Sequence, residues 1–155
     1  MPKSGLIEVD ESTCNATAMR KASRRLSSMY DEALMPCGLK STQHAILSEL
    51  IRRRRHPPTM RELADALIMD RSGLGHNLRP LERSGFIDLR TSHEDRRRRH
   101  VVLTPVGICK FDEAKRLWSA AQRRFDRAFG KDKAADLRST LLQIAKDERL
   151  GVGIR

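Results

Sequence analysis

The stretch MDRSGLGHNLRPLERSGFIDLRTSHEDRRRRHVVLTPVG, residues 69–107, decides the fold. Its first part predicts an amphipathic helix from Asp70, a suitable N-cap, to about Ser84, with Gly85 at the C-terminal cap position. At about 100° per residue, one face of this helix is apolar and the opposite face is polar. The apolar face carries Leu74, Leu78 and Leu81, and the polar face carries Ser72, His76, Arg79 and Arg83.

A β-hairpin is expected directly after this helix. Residues 87–90 (Ile-Asp-Leu-Arg) alternate between apolar and charged, which is the period of a strand with one buried face. Residues 91–95 are polar and typical of a turn, and four arginines follow at 96–99. Residues 101–103 (Val-Val-Leu) then predict the returning strand.

Two shorter helices are predicted before the decisive stretch. One runs from Ser41, taken as its N-cap, to about Ile51. The other begins at Thr59, where Glu62 completes a capping box three residues later. Four residues of this helix are expected to point inward, namely Leu63, Ala64, Leu67 and Ile68.

Long helices are predicted on both sides of this block. The first covers about Ala16 to Met35, with apolar residues at steps of three and four. Thr104 and Pro105 open another that ends near Gly130, and a last one starts at Asp132. The order helix, helix, turn, helix, hairpin is that of a winged helix-turn-helix. The predicted fold class is therefore mainly α with a small β-hairpin.

The composition favours a polyanionic partner. The chain has 155 residues, with 31 Lys and Arg against 20 Asp and Glu, a formal net charge of +11. Residues 52–99 alone hold 13 basic and 7 acidic residues, including Arg runs at 52–55 and 96–99. Charge by itself does not separate DNA from RNA or an anionic membrane. Six aromatic residues are few for a protein that stacks single-stranded bases.

The chain is expected to be a cytoplasmic protein. Its longest uncharged stretch is the nine residues of 101–109, well short of the roughly twenty that span a bilayer. The first residues carry acids and lack the apolar core of a signal peptide. Three widely spaced cysteines do not predict a disulfide framework. The arginine run at 52–55 can either contact a nucleic acid or simply be solvated, and the sequence leaves both interpretations open.

The helix and hairpin of the decisive stretch supply the candidate DNA-binding residues. Serine, histidine and arginine on the exposed helix face can hydrogen-bond base edges in the major groove, while the preceding helix faces phosphate. The arginine-rich tip suits a minor groove, with Asp95 bracing Arg97. A solvated polar face is the plainer alternative. The candidates are Thr59, Arg61, Arg71, Ser72, Gly73, His76, Asn77, Arg79, Asp95, Arg96, Arg97 and Arg98.

The decisive stretch resembles the DNA-binding block of the MarR family of bacterial transcription regulators. It has Leu-Glu-x-x-Gly at 81–85, Asp-x-Arg at 95–97 and Leu-Thr-x-x-Gly at 103–107. The segments GLKSTQHAILSEL and TMRELADAL resemble the two preceding helices of that family. The resemblance covers about residues 15–147.

This resemblance implies a homodimer that binds a palindromic operator. It divides the chain into a flexible arm (1–14), a helical dimerisation lobe (15–40 with 105–150) and a winged helix-turn-helix domain (41–104). The residues agree, because the terminal helices are too apolar for the ends of a monomer. Their apolar side chains include Phe125, Phe129, Leu137, Leu141, Leu142 and Ile144. Packing within one chain is the alternative.

The resemblance also implies regulation. Many members repress a nearby operon and release DNA when a small-molecule effector binds between the lobes; the corresponding pocket here would include Leu26, Tyr30, His44 and Leu47. Others sense oxidants, and Cys14 lies near the position of the reactive cysteine of organic-peroxide sensors. Cys37 and Cys109 are expected to be packing residues.

Other classes of protein are less well supported. The five histidines show neither HExxH nor paired Cys/His spacing, and no Gly-rich phosphate loop follows a strand, so we expect no enzyme, cofactor or metal site. A histidine-based regulatory metal site and a basic architectural DNA- or RNA-binding protein remain alternatives. For a specific regulator, Arg97→Ala should weaken binding across sequences, whereas His76→Ala should change the preferred bases.

Overall fold

The computed structural model describes residues 13–92, 95 and 98–151. The helices are α1 (Asn15–Leu34), α2 (Ser41–Arg52), α3 (Met60–Leu67), α4 (Arg71–Arg83), α5 (Pro105–Phe129) and α6 (Lys131–Lys146). The strands are β1 (Ile87–Thr91) and β2 (Arg99–Leu103), and 3₁₀ turns cover Met35–Cys37 and Glu148–Leu150. This order confirms the predicted winged helix-turn-helix flanked by long helices.

Three helix starts are fixed by the predicted side-chain caps. At α3, the Glu62 amide donates to the Thr59 hydroxyl (3.2 Å), and the Thr59 amide donates to Glu62 Oε2 (2.7 Å). At α4, Asp70 Oδ1 accepts from the Gly73 amide at 2.7 Å. At α5, Thr104 Oγ1 accepts from the amide three residues later at 3.0 Å. Each cap satisfies an amide that lacks a partner within its helix.

Other boundaries correct the expectations. Ser41 is the first helical residue and not the N-cap, which is Lys40. The Lys40 amide donates to Gln43 Oε1 (2.9 Å), and the Ser41 amide donates to Asp31 Oδ1 (2.6 Å). Ile68 does not point inward: it follows α3 in the left-handed conformation (φ 52°) and is 66% exposed. The second strand starts two residues earlier than predicted, and α6 starts one residue earlier.

The two strands form an antiparallel ladder that is joined to the loop before α3. The register pairs Ile87 with Leu103 and Thr91 with Arg99. A β-bridge links Thr59 to the second strand, whose Val101 amide donates to the carbonyl of the residue before Thr59 at 2.8 Å. Ile87 and Val101 are fully buried, so one face of the hairpin closes on the core and the other faces solvent.

One buried cluster draws on the winged domain and on the flanking helices. Its largest fully buried apolar side chains are Leu34, Ile46, Leu47, Leu50, Leu63, Leu74, Leu78, Leu81, Ile87 and Val101. On α2, His44 is 7% exposed and stacks between two rings of α5, Phe111 (centroids 5.4 Å apart) and Trp118 (5.6 Å). Within the described residues its Nε2 atom is buried without a hydrogen-bond partner. Burial lowers the pKa of His44, because the imidazolium would lose its hydration there.

This buried imidazole predicts a pH-dependent stability. The unfolded chain takes up a proton on His44 near pH 6.5 whereas the folded chain resists it, so the free energy of unfolding should fall as the pH drops through about 6.5. His44→Phe keeps an aromatic ring in the stack and should flatten this dependence. Urea unfolding between about pH 8 and 5.5 measures it, and the exposed His56→Phe is the control. Equal pH dependence in wild type and His44→Phe would contradict the assignment.

Candidate nucleic-acid interface

An open cleft of about 320 Å³ lies where the N-terminal ends of α3 and α4 meet β2. We call it the basic cleft. Its lining residues are Thr59, Met60, Arg61, Glu62, Arg71, Arg98 and Arg99. Four of these, Thr59, Arg61, Arg71 and Arg98, are among the candidates taken from the sequence. The fold therefore brings together residues of three separate elements at one surface.

The basic cleft has more positive than negative charge. Glu62 accepts hydrogen bonds from the Thr59 amide and hydroxyl, and these hold the pKa of its carboxyl below the usual range. Arg61 lies 3.9 Å from Asp65, an exposed pair that water screens. Neither of two further arginines, Arg71 and Arg99, has a carboxylate partner within the described part of the chain; they are available to an anion. The resulting surface suits a phosphate backbone.

The exposed face of α4 lies beside the basic cleft. Leu74, Leu78 and Leu81 are at most 2% exposed and fix the helix to the core. On the other side Ser72, His76, Arg79 and Arg83 are all exposed, as the periodicity predicted. The helix thus presents a polar surface from a rigidly packed base, which is the arrangement that a recognition helix requires.

Two candidates on α4 have local roles. Asn77 is half-buried, and its side-chain amide donates to the Gly73 carbonyl at 2.8 Å. A Cβ atom at Gly73 would lie 2.5 Å from Asp70 Oδ1, so glycine preserves the helix cap. Gly75, by contrast, faces open space. These contacts explain the first glycine without any nucleic acid.

Part of the hairpin tip lies outside the described residues, including the candidates Arg96 and Arg97. Of its neighbours, Arg98 donates its amide to the Asp95 carbonyl (2.9 Å), and its guanidinium lies 3.5 Å from the Asp95 carboxylate. The predicted contact between Asp95 and Arg97 therefore stays a prediction. Arg99 was missed as a site residue. Strand alternation could have found it, because Arg99 lies on the same face of β2 as the buried Val101.

Two adjoining apolar cavities, of about 570 and 270 Å³, lie between α1 and α6. Both are lined by Leu26, Tyr30, Leu137 and Leu141. The Tyr30 hydroxyl donates to Gln122 Oε1 at 2.5 Å. Burial is the main cause that raises the pKa of Tyr30, and the negative charge of Asp126 adds to it. We call these cavities the terminal-helix groove. Of the four residues predicted for an effector pocket, Leu26 and Tyr30 lie here, whereas His44 and Leu47 belong to the buried core.

The three cysteines have different surroundings. Cys14 is exposed at the N-cap of α1. A hydrogen bond with the Thr17 side chain, and a weaker one with the Thr17 backbone, lower the pKa of the Cys14 thiol. Cys37 is buried and its thiol donates to the Leu34 carbonyl at 3.0 Å. Cys109 is exposed on α5, so the expectation of a packing role was wrong for it. Among the described residues, no cluster of three or more His, Cys, Asp or Glu side chains could hold a metal ion.

A winged helix-turn-helix with a polar recognition face, a cationic cleft and long flanking helices defines a class, the winged-helix transcription regulators. Within residues 13–92 and 98–151, no helix has the length and apolarity needed to cross a membrane. Residues 38–98 match the model of the MarR family. This segment holds α2, α3, α4 and the first strand, so the winged helix-turn-helix of the chain is similar to that of the MarR family of transcriptional regulators.

The similarity to solved structures of regulators extends over most of the chain. The Mycobacterium tuberculosis regulator MosR, in complex with DNA, is 28% identical, with a TM-score of 0.76 over 86% of this chain and 94% of MosR. The repressor CouR, bound to a 23-mer DNA duplex, is 25% identical, with a TM-score of 0.79 over 90% of this chain and 99% of CouR. A LexA repressor of Nocardioides is 33% identical over 75 residues, but the match spans only 30% of that protein's length.

Proposed function

We propose that the chain is a sequence-specific regulator that binds double-stranded DNA as a homodimer on a palindromic operator and represses transcription. The observation that carries this proposal is the juxtaposition of the basic cleft with the exposed polar face of α4. A duplex presents phosphates next to base edges. On this surface the arginines of the basic cleft can bind the phosphates, and the polar side chains of α4 can hydrogen-bond the base edges. The DNA complexes of MosR and CouR give independent support.

Each part of the surface has its own role in the proposed complex. Ser72, His76 and Arg79 face base edges in the major groove. Arg61 and Arg71, with the amides at the start of α3, hold phosphates on either side of that groove. Arg98, which also lines the basic cleft, holds a phosphate as well, and the predicted contacts at 95–97 reach the adjoining minor groove.

The dimer is proposed to form through the terminal helices, so that 15–40 with 105–150 is the dimerisation lobe and 41–104 the DNA-binding domain. The terminal-helix groove is apolar and open, and Leu142 and Phe129 are 52% and 46% exposed. Covering such side chains gains about 25 cal/mol for each Å² removed from water. A second copy supplies complementary apolar helices, and a two-fold axis through them matches the palindrome.

A small-molecule effector is proposed to release the DNA. The terminal-helix groove is mainly apolar, with the Tyr30 hydroxyl as a hydrogen-bonding group, and the effector would occupy the part of it that the partner subunit does not cover. Pockets of this character bind mostly apolar ligands and orient them by a few polar contacts. CouR of Rhodococcus jostii, which has the same fold, has also been crystallised with p-coumaroyl-CoA. Effectors of this chain should shift the equilibrium by binding the DNA-free form more tightly.

Selection of bound duplexes from a random library tests the proposal. The wild-type protein should enrich two half-sites related by a dyad, with centres about 10 base pairs apart or a multiple of that. His76→Ala should fold normally and change the preferred bases at symmetric positions, because exposed His76 contributes to readout and not to the core. Enrichment of no common sequence by the wild type would contradict specific binding, and an unchanged preference in His76→Ala would remove His76 from the site.

Redox regulation through Cys14 is a second candidate, favoured by the lowered pKa of this exposed thiol. In this reaction the Cys14 thiolate attacks an organic hydroperoxide; the sulfur is oxidised to sulfenic acid and the hydroperoxide is reduced to an alcohol. At about pH 7, Cys14 should react with iodoacetamide several-fold faster than Cys109, the internal reference in the same molecule, and Thr17→Val should reduce this difference. Equal rates for the two exposed cysteines would argue against a sensing thiol.

A further inference from the structure

The solvent-facing side of the hairpin carries a second cationic surface, separate from the basic cleft. It is an open cleft of about 540 Å³ formed by the loop before α3 together with both strands. We call it the outer-wing cleft. Its charged and titratable lining residues are Arg55 and His56 from the loop, Arg90 from β1 and His100 from β2. None of these four residues belongs to the DNA-contact set described above.

Strand geometry separates the two clefts. Arg90 and His100 are direct cross-strand partners and so lie on one face of the hairpin. Val101, the next residue of β2, is fully buried on the other face. Arg99, which alternates with His100, lines the basic cleft instead. The outer-wing cleft is therefore on the side of the hairpin that faces away from the core.

The loop that completes the outer-wing cleft is held firmly on the hairpin. His100 Nδ1 lies 3.0 Å from the Pro57 carbonyl oxygen and donates to it, because a carbonyl can only accept. The Val101 amide donates to the next carbonyl, that of Pro58, at 2.8 Å. These contacts hold the loop that carries Arg55 against the hairpin that carries Arg90, so the backbone of the cleft is already in place before a ligand binds.

Few acidic groups oppose this charge. The Arg90 guanidinium lies 3.4 Å from the Asp88 carboxylate, and both side chains are exposed, so the pair is weak. At the C-terminal end of α2, just before this loop, the Glu49 carboxylate is buried and binds both Arg52 and Arg53. Because one carboxylate neutralises only one of these two arginines, a net positive charge remains there. Arg54 and Arg55 line the same stretch of surface as Arg52 and Arg53 and add to this charge.

We propose that the outer-wing cleft binds backbone phosphates of the duplex beyond the operator half-site, so that the dimer gains affinity from flanking DNA without reading its sequence. This inference rests on the proposed function, in which the hairpin lies against the duplex. Duplex DNA that extends beyond the half-site, away from the dyad, would run along the solvent-facing side of the hairpin. Arginine and histidine donors there can hold a phosphate, and such contacts carry no base specificity.

The test compares two duplexes: the shortest that retains specific binding, and the same duplex with about one further helical turn at each end. Wild type should bind the longer duplex about tenfold more tightly, with a salt slope steeper by about 2 for two added phosphate contacts per dimer. Arg55→Ala with Arg90→Ala should abolish this gain and leave affinity for the short duplex within about twofold. Lys115→Ala with Arg116→Ala removes the same charge from exposed positions of α5 and should keep the gain.

A gain-of-function variant makes the test independent of any loss of folding. Asp88→Asn removes the carboxylate beside Arg90 and should tighten binding of the longer duplex only. Persistence of the length-dependent gain in the Arg55→Ala, Arg90→Ala protein, or an equal loss on both duplexes, would overturn the proposal and leave specific binding intact. Failure of the wild type to bind any duplex specifically would overturn both proposals together.

Discussion

Replacing Arg71 and Arg98 together with alanine is expected to lower the affinity for the operator by about 100-fold to 1,000-fold at physiological salt. Both side chains line the basic cleft, one from the start of α4 and one just before β2. A dimer would lose four phosphate contacts, and each carries roughly 0.9 of the slope of log affinity against log salt concentration. The slope should therefore become shallower by about 3 to 4.

The effect should be electrostatic and local. Both arginines are exposed, so the double variant should unfold at the same urea concentration as the wild type. Lys115→Ala with Arg116→Ala, which removes two charges elsewhere, should change the affinity by less than about threefold. Fluorescence anisotropy at several salt concentrations measures both quantities. An unchanged salt slope in the Arg71→Ala, Arg98→Ala protein would show that the basic cleft does not hold phosphates.

Gly107→Ala is expected to destabilise the fold by about 3 kcal/mol or more. Gly107 is buried in the first turn of α5, where an added Cβ would collide with the backbone carbonyl oxygen of Phe86 and lie 2.8 Å from Leu103 Cδ1. The Phe86 carbonyl also accepts from the Thr104 amide at 3.1 Å, so it cannot move without breaking the junction of hairpin and helix. The chain has no space for even one methyl group at this point.

The matched control is Gly75→Ala, because Gly75 lies within α4 and a Cβ atom added there would have no heavy atom within 4 Å. Alanine favours a helix over glycine by up to about 1 kcal/mol, so this variant should be as stable as the wild type or slightly more stable. Urea unfolding monitored by circular dichroism compares the two variants. A Gly107→Ala protein within about 1 kcal/mol of the wild type would contradict the packing described for this turn.

Features set by short-range chemistry could be predicted from the sequence. The capping box of Thr59 with Glu62 and the cap at Asp70 depend on residues three positions apart, and both were found where the sequence placed them. The start of α2 was misassigned because the Ser41 amide is satisfied by Asp31, ten residues upstream. Ile68 was placed inward because periodicity alone does not reveal the left-handed residue that ends α3.

The candidate site divides in the same way. The exposed face of α4 follows from periodicity, because three leucines spaced along the helix determine which side is buried. The convergence of Arg61, Arg71 and Arg98 on one cleft depends on how α3, α4 and β2 pack, which the sequence does not state. For the same reason, His44 could be proposed for an effector pocket although it stacks between two rings of the core.

The most direct test of sequence-specific binding by a dimer uses a duplex that carries the sequence enriched from the random library. It is titrated with purified protein at about 0.15 M salt and in excess unrelated DNA, beside a scrambled duplex of equal length and composition. The account predicts saturation at two chains per duplex and at least about a 1,000-fold preference over the scrambled sequence. Equal affinity for the two duplexes, lost in parallel as salt rises, would contradict it and identify a non-specific cationic binder.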